Sequence, residues 1–145
     1  LIAFSCNAGA ILGRAEKKHK FALQGYAHDI GLAYQIRDDL FGYLSYGIGK
    51  PFLNDFKQRK ITLPLIYALS KSNSFEKREI LKDVKDFKSV EKIISFVKEK
   101  NGIVYSENKM NAMIIQSKKI LNSFPDSVYK ESLNNLLDYT INRVK

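Results

Sequence analysis

The stretch GLAYQIRDDLFGY, Gly31 to Tyr43, places two adjacent carboxylates, Asp38 and Asp39, at the end of a run with helical apolar spacing. Gln35 falls one turn before Asp38 and shares its helix face. Acids in such a setting need cations close by. Paired carboxylate oxygens suit Mg²⁺, which keeps several waters and takes one or two carboxylates together with substrate phosphates. The next informative stretch is GKPFLNDFKQRKITLP, Gly49 to Pro64, in which Lys50 and Lys60 supply positive charge suited to phosphate. One short region therefore offers metal ligands beside anion ligands.

Outward from this region the chain reads as helices. Leu1 to Arg14 is an apolar helix whose small residues, Ala3, Ala8, Gly9 and Ala10, would let a neighbour approach closely, and it is expected in the interior. A long helix follows from about Ala15 to Tyr43 on the spacing of Phe21, Tyr26, Ile30, Ala33 and Ile36, and Gly42, Gly47 and Gly49 mark its end. Ser45 to Lys60 is expected to be a loop, after which Thr62-Leu63-Pro64 opens a helix running to about Leu69. Further amphipathic helices are expected at about Phe75 to Phe87, Val90 to Lys100, Ile103 to Phe124 and Asp126 to Arg143. Asn101-Gly102 serves as a stop, Phe124-Pro125-Asp126 as a break, and Ser89 and Asp126 as N-caps. No strand alternation survives inspection. The expected class is all-α, a multi-helix bundle in a single domain spanning residues 1–145.

Composition narrows the function classes. A chain of 145 residues, 45% hydrophobic and 27% charged with three prolines, excludes disorder and low-complexity architectures. Cys6 is the only cysteine, so there is no disulfide framework, and a reducing, cytoplasmic setting is expected; Cys6 itself reads as a small packed side chain. The apolar run Leu1 to Leu12 is interrupted by Ser5, Cys6, Asn7 and Gly9 and falls short of the roughly 20 residues that span a bilayer. The formal net charge of +9 would attract polyanions. Much of it comes from lysines such as Lys77, Lys82, Lys85, Lys92 and Lys98 that alternate with acids, which reads as solvated helix faces. With no aromatic stacking platform and no concentrated arginine patch, nucleic acid is not an expected partner.

Taken singly, the motif residues leave alternatives open. An Asp pair on a helix also serves as surface charge or as a cap, Gly-Lys-Pro is also just a turn, and Asp55 can cap a local turn. Arg37 and Arg59 can simply pair with acids, and Tyr34 and Phe41 can be core residues. The discriminating property is order and spacing.

That order resembles the second Asp-rich region of the trans-isoprenyl (polyprenyl) diphosphate synthases. The family pattern of Gly-Leu-Ala-Phe-Gln, an Asp pair, Gly-Lys-Pro, Asp and Lys-x-Thr-Leu-Pro is met by Gly31 to Gln35, Asp38-Asp39, Gly49 to Pro51, Asp55, and Lys60 to Pro64, with Tyr34 in place of the usual Phe. Looser similarity extends over the rest: LIAFSCNAGAIL looks like the helix after the family's Lys-Thr pair, Asn101-Gly102 like its late helix break, and Leu137 to Arg143 like its closing helix. The resemblance implies the C-terminal half of the isoprenoid synthase fold. It implies a reaction joining an allylic diphosphate to isopentenyl diphosphate, with Mg²⁺ held by Asp38 and Asp39. Gln35, Lys50 and Lys60 would contact the allylic diphosphate, and Asp38 and Lys50 would carry the catalytic burden.

Three departures accompany the match. Gly42 stands where the family's third acid is usual, giving DDLFG, and Leu53 and Arg59 replace two frequent loop glycines. The family's first Asp-rich motif and its isopentenyl-binding basic residues would precede Leu1. The resemblance therefore implies a chain that does not complete the reaction alone, working in a homodimer or heteromer. Other readings are a degenerate regulatory subunit of a heteromeric synthase and, against the Lys50 to Lys60 pattern, a class I terpene synthase.

Overall fold

The computed structural model describes residues 1–44, 60–86 and 88–143. Seven helices and no strand occur among them: α1 (Ile2–Leu12), α2 (Lys17–Leu44), α3 (Leu63–Ser70), α4 (Ser74–Lys85), α5 (Val90–Glu99), α6 (Gly102–Leu121) and α7 (Val128–Asn142). The all-α expectation holds, with boundaries within about two residues for most elements. The expected loop from Ser45 lies outside the described residues as far as Arg59, so Lys50 and Asp55 do too. Lys60 is non-helical. No described helix is long and apolar enough to cross a membrane.

The chain divides into two compact units, residues 1–37 with 109–145, and residues 38–108, so α2 and α6 each contribute to both. In the first unit, α2 buries Tyr26, Ala27, Ile30, Ala33 and Ile36. Those steps of three and four residues keep one stripe of the helix inward. The matching stripe of α6 is Met110, Ile114, Ser117 and Leu121, and α7 adds Leu137 and Thr140. The Tyr26 hydroxyl, fully buried, donates to the Leu133 carbonyl at 2.9 Å and so fastens α2 to α7. Burial, with a smaller effect from Cys6, pushes this phenol well above its ordinary range.

The second unit is built on Tyr43, Leu65, Ala68, Ile80, Val84, Ile93, Ile94, Phe96 and Val97. α4 begins with a capping box: Asn73 Oδ1 accepts from the backbone N–H of Phe75 and Glu76, both at 2.9 Å, while Glu76 accepts from Asn73 N–H at 3.0 Å. The same Glu76 accepts from Lys100 Nζ at 2.9 Å, joining the start of α4 to the residue that ends α5. Gly102 opens α6 against α3 so tightly that a Cβ there would collide with the Pro64 carbonyl oxygen. Asn101 enters this turn with φ at 58°, the left-handed conformation that Asn tolerates better than most residues. The Asn101-Gly102 stop is thus borne out in position, and a close approach demands its glycine.

Four expectations need correction. α1 is not interior in this chain: Ala10 is its only buried residue, while Leu1, Phe4, Ile11 and Leu12 are 100%, 74%, 55% and 84% exposed. It is apolar all round, so its pattern names no buried face. Phe21 sits on the solvent side of α2, because the inward stripe begins only at Tyr26. Asp126 is not the cap of α7; Ser127 is, accepting from Lys130 N–H at 3.2 Å, and Asp126 pairs with Lys130 Nζ at 2.9 Å. Ser89 occupies the cap position of α5 with φ at 53° and makes no side-chain cap bond.

Candidate functional site

α2 buries Ile36, Leu40, Phe41 and Tyr43, and this apolar anchoring fixes which way the intervening polar residues face. Asp38 and Asp39 are half-buried in the last two turns, and Gln35 is exposed on the same helix. Consecutive helical residues point about 100° apart, so the two carboxylates do not converge directly on one point. They also lie at the negative end of the α2 macrodipole, where anions are disfavoured.

The second unit answers that with the opposite pole of another helix. Asp39 Oδ2 accepts from the backbone N–H of Leu63, the first residue of α3, at 3.2 Å. One turn later along α2, the Tyr43 hydroxyl meets Thr62 Oγ1 at 2.6 Å in a buried bond. Thr62 is the N-cap residue by its extended backbone, with no side-chain cap bond of its own, and Pro64 follows in the first turn. Asp39 thus supplies the acceptor that the cap residue does not, and its charge faces the positive end of α3.

These two contacts bring the KITLP segment onto the DDLFGY segment. Lys60 is exposed and precedes Leu63 by three residues. At about 3.8 Å per Cα step, its backbone lies within about 11 Å of the peptide that Asp39 holds. The structure therefore joins Tyr43 and Asp39 to Thr62 and Leu63, which follow Lys60 by two and three residues. Lys50 and Asp55 fall outside the described residues. Among the described residues no cluster of three or more His, Cys, Asp or Glu side chains forms. The fit to a divalent ion is that of a carboxylate pair at a helix end, with Asp39 already committing one oxygen to Leu63.

Sequence reasoning missed Tyr43 and Thr62 as members of this arrangement, although a Thr directly before Leu-Pro is itself a helix-start signal. It also missed an open, largely apolar pocket of about 600 Å³ in the first unit, lined by Ile2, Ala3, Ala27, His28, Leu32 and Tyr34. No single-residue pattern announces a pocket formed where two helices meet.

Comparison with known proteins places these features in a class. The polyprenyl synthetase family model matches residues 1–100, and the chain belongs to that family. It is 30% identical over 149 residues to a geranylfarnesyl diphosphate synthase of Aeropyrum pernix, covering 100% of this chain and 47% of that protein. It is likewise 30% identical over 141 residues to heptaprenyl diphosphate synthase component 2 of Bacillus subtilis, covering 96% of this chain and 40% of that one. The crystal structure of a geranylgeranyl pyrophosphate synthase from Bacteroides thetaiotaomicron superposes with a TM-score of 0.85 at 28% identity, over 98% of this chain and 48% of that chain. The chain spans about half the length of the relatives it matches.

Proposed function

We propose that this chain is the part of a trans-prenyltransferase that carries the second Asp-rich region, acting in the condensation of an allylic diphosphate with isopentenyl diphosphate. The observation that supports the reading is the anchoring of Asp39 to the start of α3, a helix that Lys60 precedes by three residues, within a chain of the polyprenyl synthetase family. Asp38 and Asp39 would hold Mg²⁺. Bound there, Mg²⁺ would neutralise diphosphate charge and make diphosphate a better leaving group.

The chain's own residues do the rest of the binding work. Gln35 hydrogen-bonds the allylic diphosphate, and Lys50 and Lys60 place fixed positive charge against its oxygens. That charge counts most as the C–O bond breaks and the electron pair departs with diphosphate. The double bond of isopentenyl diphosphate then forms the new C–C bond, and loss of a proton restores neutrality at carbon. Tyr34 and the largely apolar pocket it lines offer a hydrocarbon surface on α2.

A second reading is a non-catalytic subunit of a heteromeric synthase. The relative named as a synthase component supports the heteromeric part of this reading, and the exposed apolar surface of α1 fits association of either kind. Labelled isopentenyl diphosphate, an allylic diphosphate and Mg²⁺, incubated with this chain with and without the remaining half of a polyprenyl synthetase, separate the two. Prenyl product that Asp38→Ala abolishes supports the first reading. Product that persists unchanged with Asp38→Ala supports the second.

A further inference from the structure

Arg143, the residue that ends α7, folds back onto α2. Its guanidinium lies over the Tyr34 ring at 3.6 Å from the centroid, and its Nη2 donates to the Tyr34 carbonyl oxygen at 2.9 Å. The Arg143 carbonyl in turn accepts from Arg37 Nη2 at 3.2 Å. One residue thus makes a stacked contact, donates one hydrogen bond and accepts another, all within the α2 turn that contains Gln35. Ending α7 would need none of these, because the Arg143 N–H already bonds the Tyr139 carbonyl at 2.9 Å.

The oxygen that Arg143 takes hold of has a second partner by helix geometry: in an α-helix the Tyr34 carbonyl accepts the N–H of Asp38. A carbonyl oxygen has two lone pairs and can serve both donors. A charged donor there polarises the peptide and fixes its tilt, since a side chain that enters the backbone ladder is an established cause of local helix bending. Arg37 closes the loop from the other side, so the turn from Tyr34 to Asp38 is held at both its carbonyl and its side chains. Lysine could not replace the whole arrangement, because only a planar guanidinium stacks on a ring while donating in its plane.

We propose that Arg143 is a positioning residue: with Arg37 and Tyr34 it forms a clasp that sets the α2 turn presenting Gln35 and Asp38 to the diphosphate. The functional part of this inference rests on the proposed prenyl transfer; the clasp itself does not. Hydrogen exchange in the intact protein reads the clasp without turnover. Arg143→Ala and Tyr34→Leu should each speed exchange of the Asp38 amide by about tenfold or more while leaving Tyr26 to Ile30 unchanged. Tyr34→Phe, which keeps both ring and carbonyl, should exchange like the wild type.

In whichever assembly forms prenyl product, Arg143→Ala should raise KM for the allylic diphosphate about tenfold with a smaller change in kcat, and Arg143→Lys should recover part of it. Unchanged Asp38 exchange in both Arg143→Ala and Tyr34→Leu, or acceleration spread evenly along α2 and α7, overturns the clasp. Local acceleration with an unchanged KM overturns the positioning role. If no assembly forms product while the local acceleration persists, the clasp stands and the prenyl-transfer reading falls.

Discussion

At the scale of single residues, the two carboxylates of α2 differ in what they hold. Asp39 accepts the first N–H of α3, so its removal leaves a helix end without an acceptor. Asp39→Ala is expected to cost about 1 kcal/mol of stability, the usual cost of losing a helix-start acceptor, whereas Asp39→Asn keeps an oxygen for Leu63 and should retain most of it. Thermal melts of the two variants read that difference. Asp38 has a different expected signature. In a product-forming assembly, Asp38→Ala should lower turnover by about 100-fold or more with an unchanged far-UV circular dichroism spectrum. Both carboxylates were legible in the sequence as a pair; their division of labour was not, because it depends on which one faces a helix that starts 24 residues later.

At the scale of elements, the α4 start and the α5 end share one carboxylate. The hydrogen bond from Lys100, and then that from the Asn73 backbone, hold the Glu76 carboxyl below its ordinary range, and the bond to Glu76 holds Lys100 above its own. A depressed acid stabilises the fold at neutral pH and loses that contribution as pH falls through its folded-state pKa. A raised base contributes below its ordinary range and loses the contribution as pH rises through its folded-state pKa. The melting temperature of the wild type should therefore fall more steeply on acidification than that of Glu76→Gln. Asn73→Ala should cost about 1 kcal/mol at neutral pH through loss of the cap. Gly102→Ala forces a Cβ toward the Pro64 carbonyl oxygen and should cost about 1–3 kcal/mol in urea unfolding, as overpacking does. The Asn-x-x-Glu pattern at residues 73 to 76 carries a capping-box signal that the sequence reading passed over. The clash at Gly102 was not legible there, since it depends on a partner 38 positions away in the chain, taking residue 102 minus residue 64.

At the scale of the whole molecule, the apolar surface of α1 sets the expectation for association. An association face there would make Phe4→Lys, a change at a 74% exposed position, weaken self-association in sedimentation velocity without lowering the helix content of the isolated chain. Sequence patterning correctly gave α1 as a helix but placed it inside. Periodicity reports the face a helix turns inward, and a helix apolar on all sides reports none.

The helical class and the order of the elements could be read from local spacing and turn residues, and the Asp38-Asp39, Gln35 and Lys60 to Pro64 pattern through its resemblance to a family. Tertiary structure alone decided that Asp39 holds Leu63, that Tyr43 meets Thr62, and that Arg143 closes over Tyr34. Those contacts join residues 19 to 109 positions apart, and at such separations the partner is chosen by how helices pack rather than by any local preference of the chain.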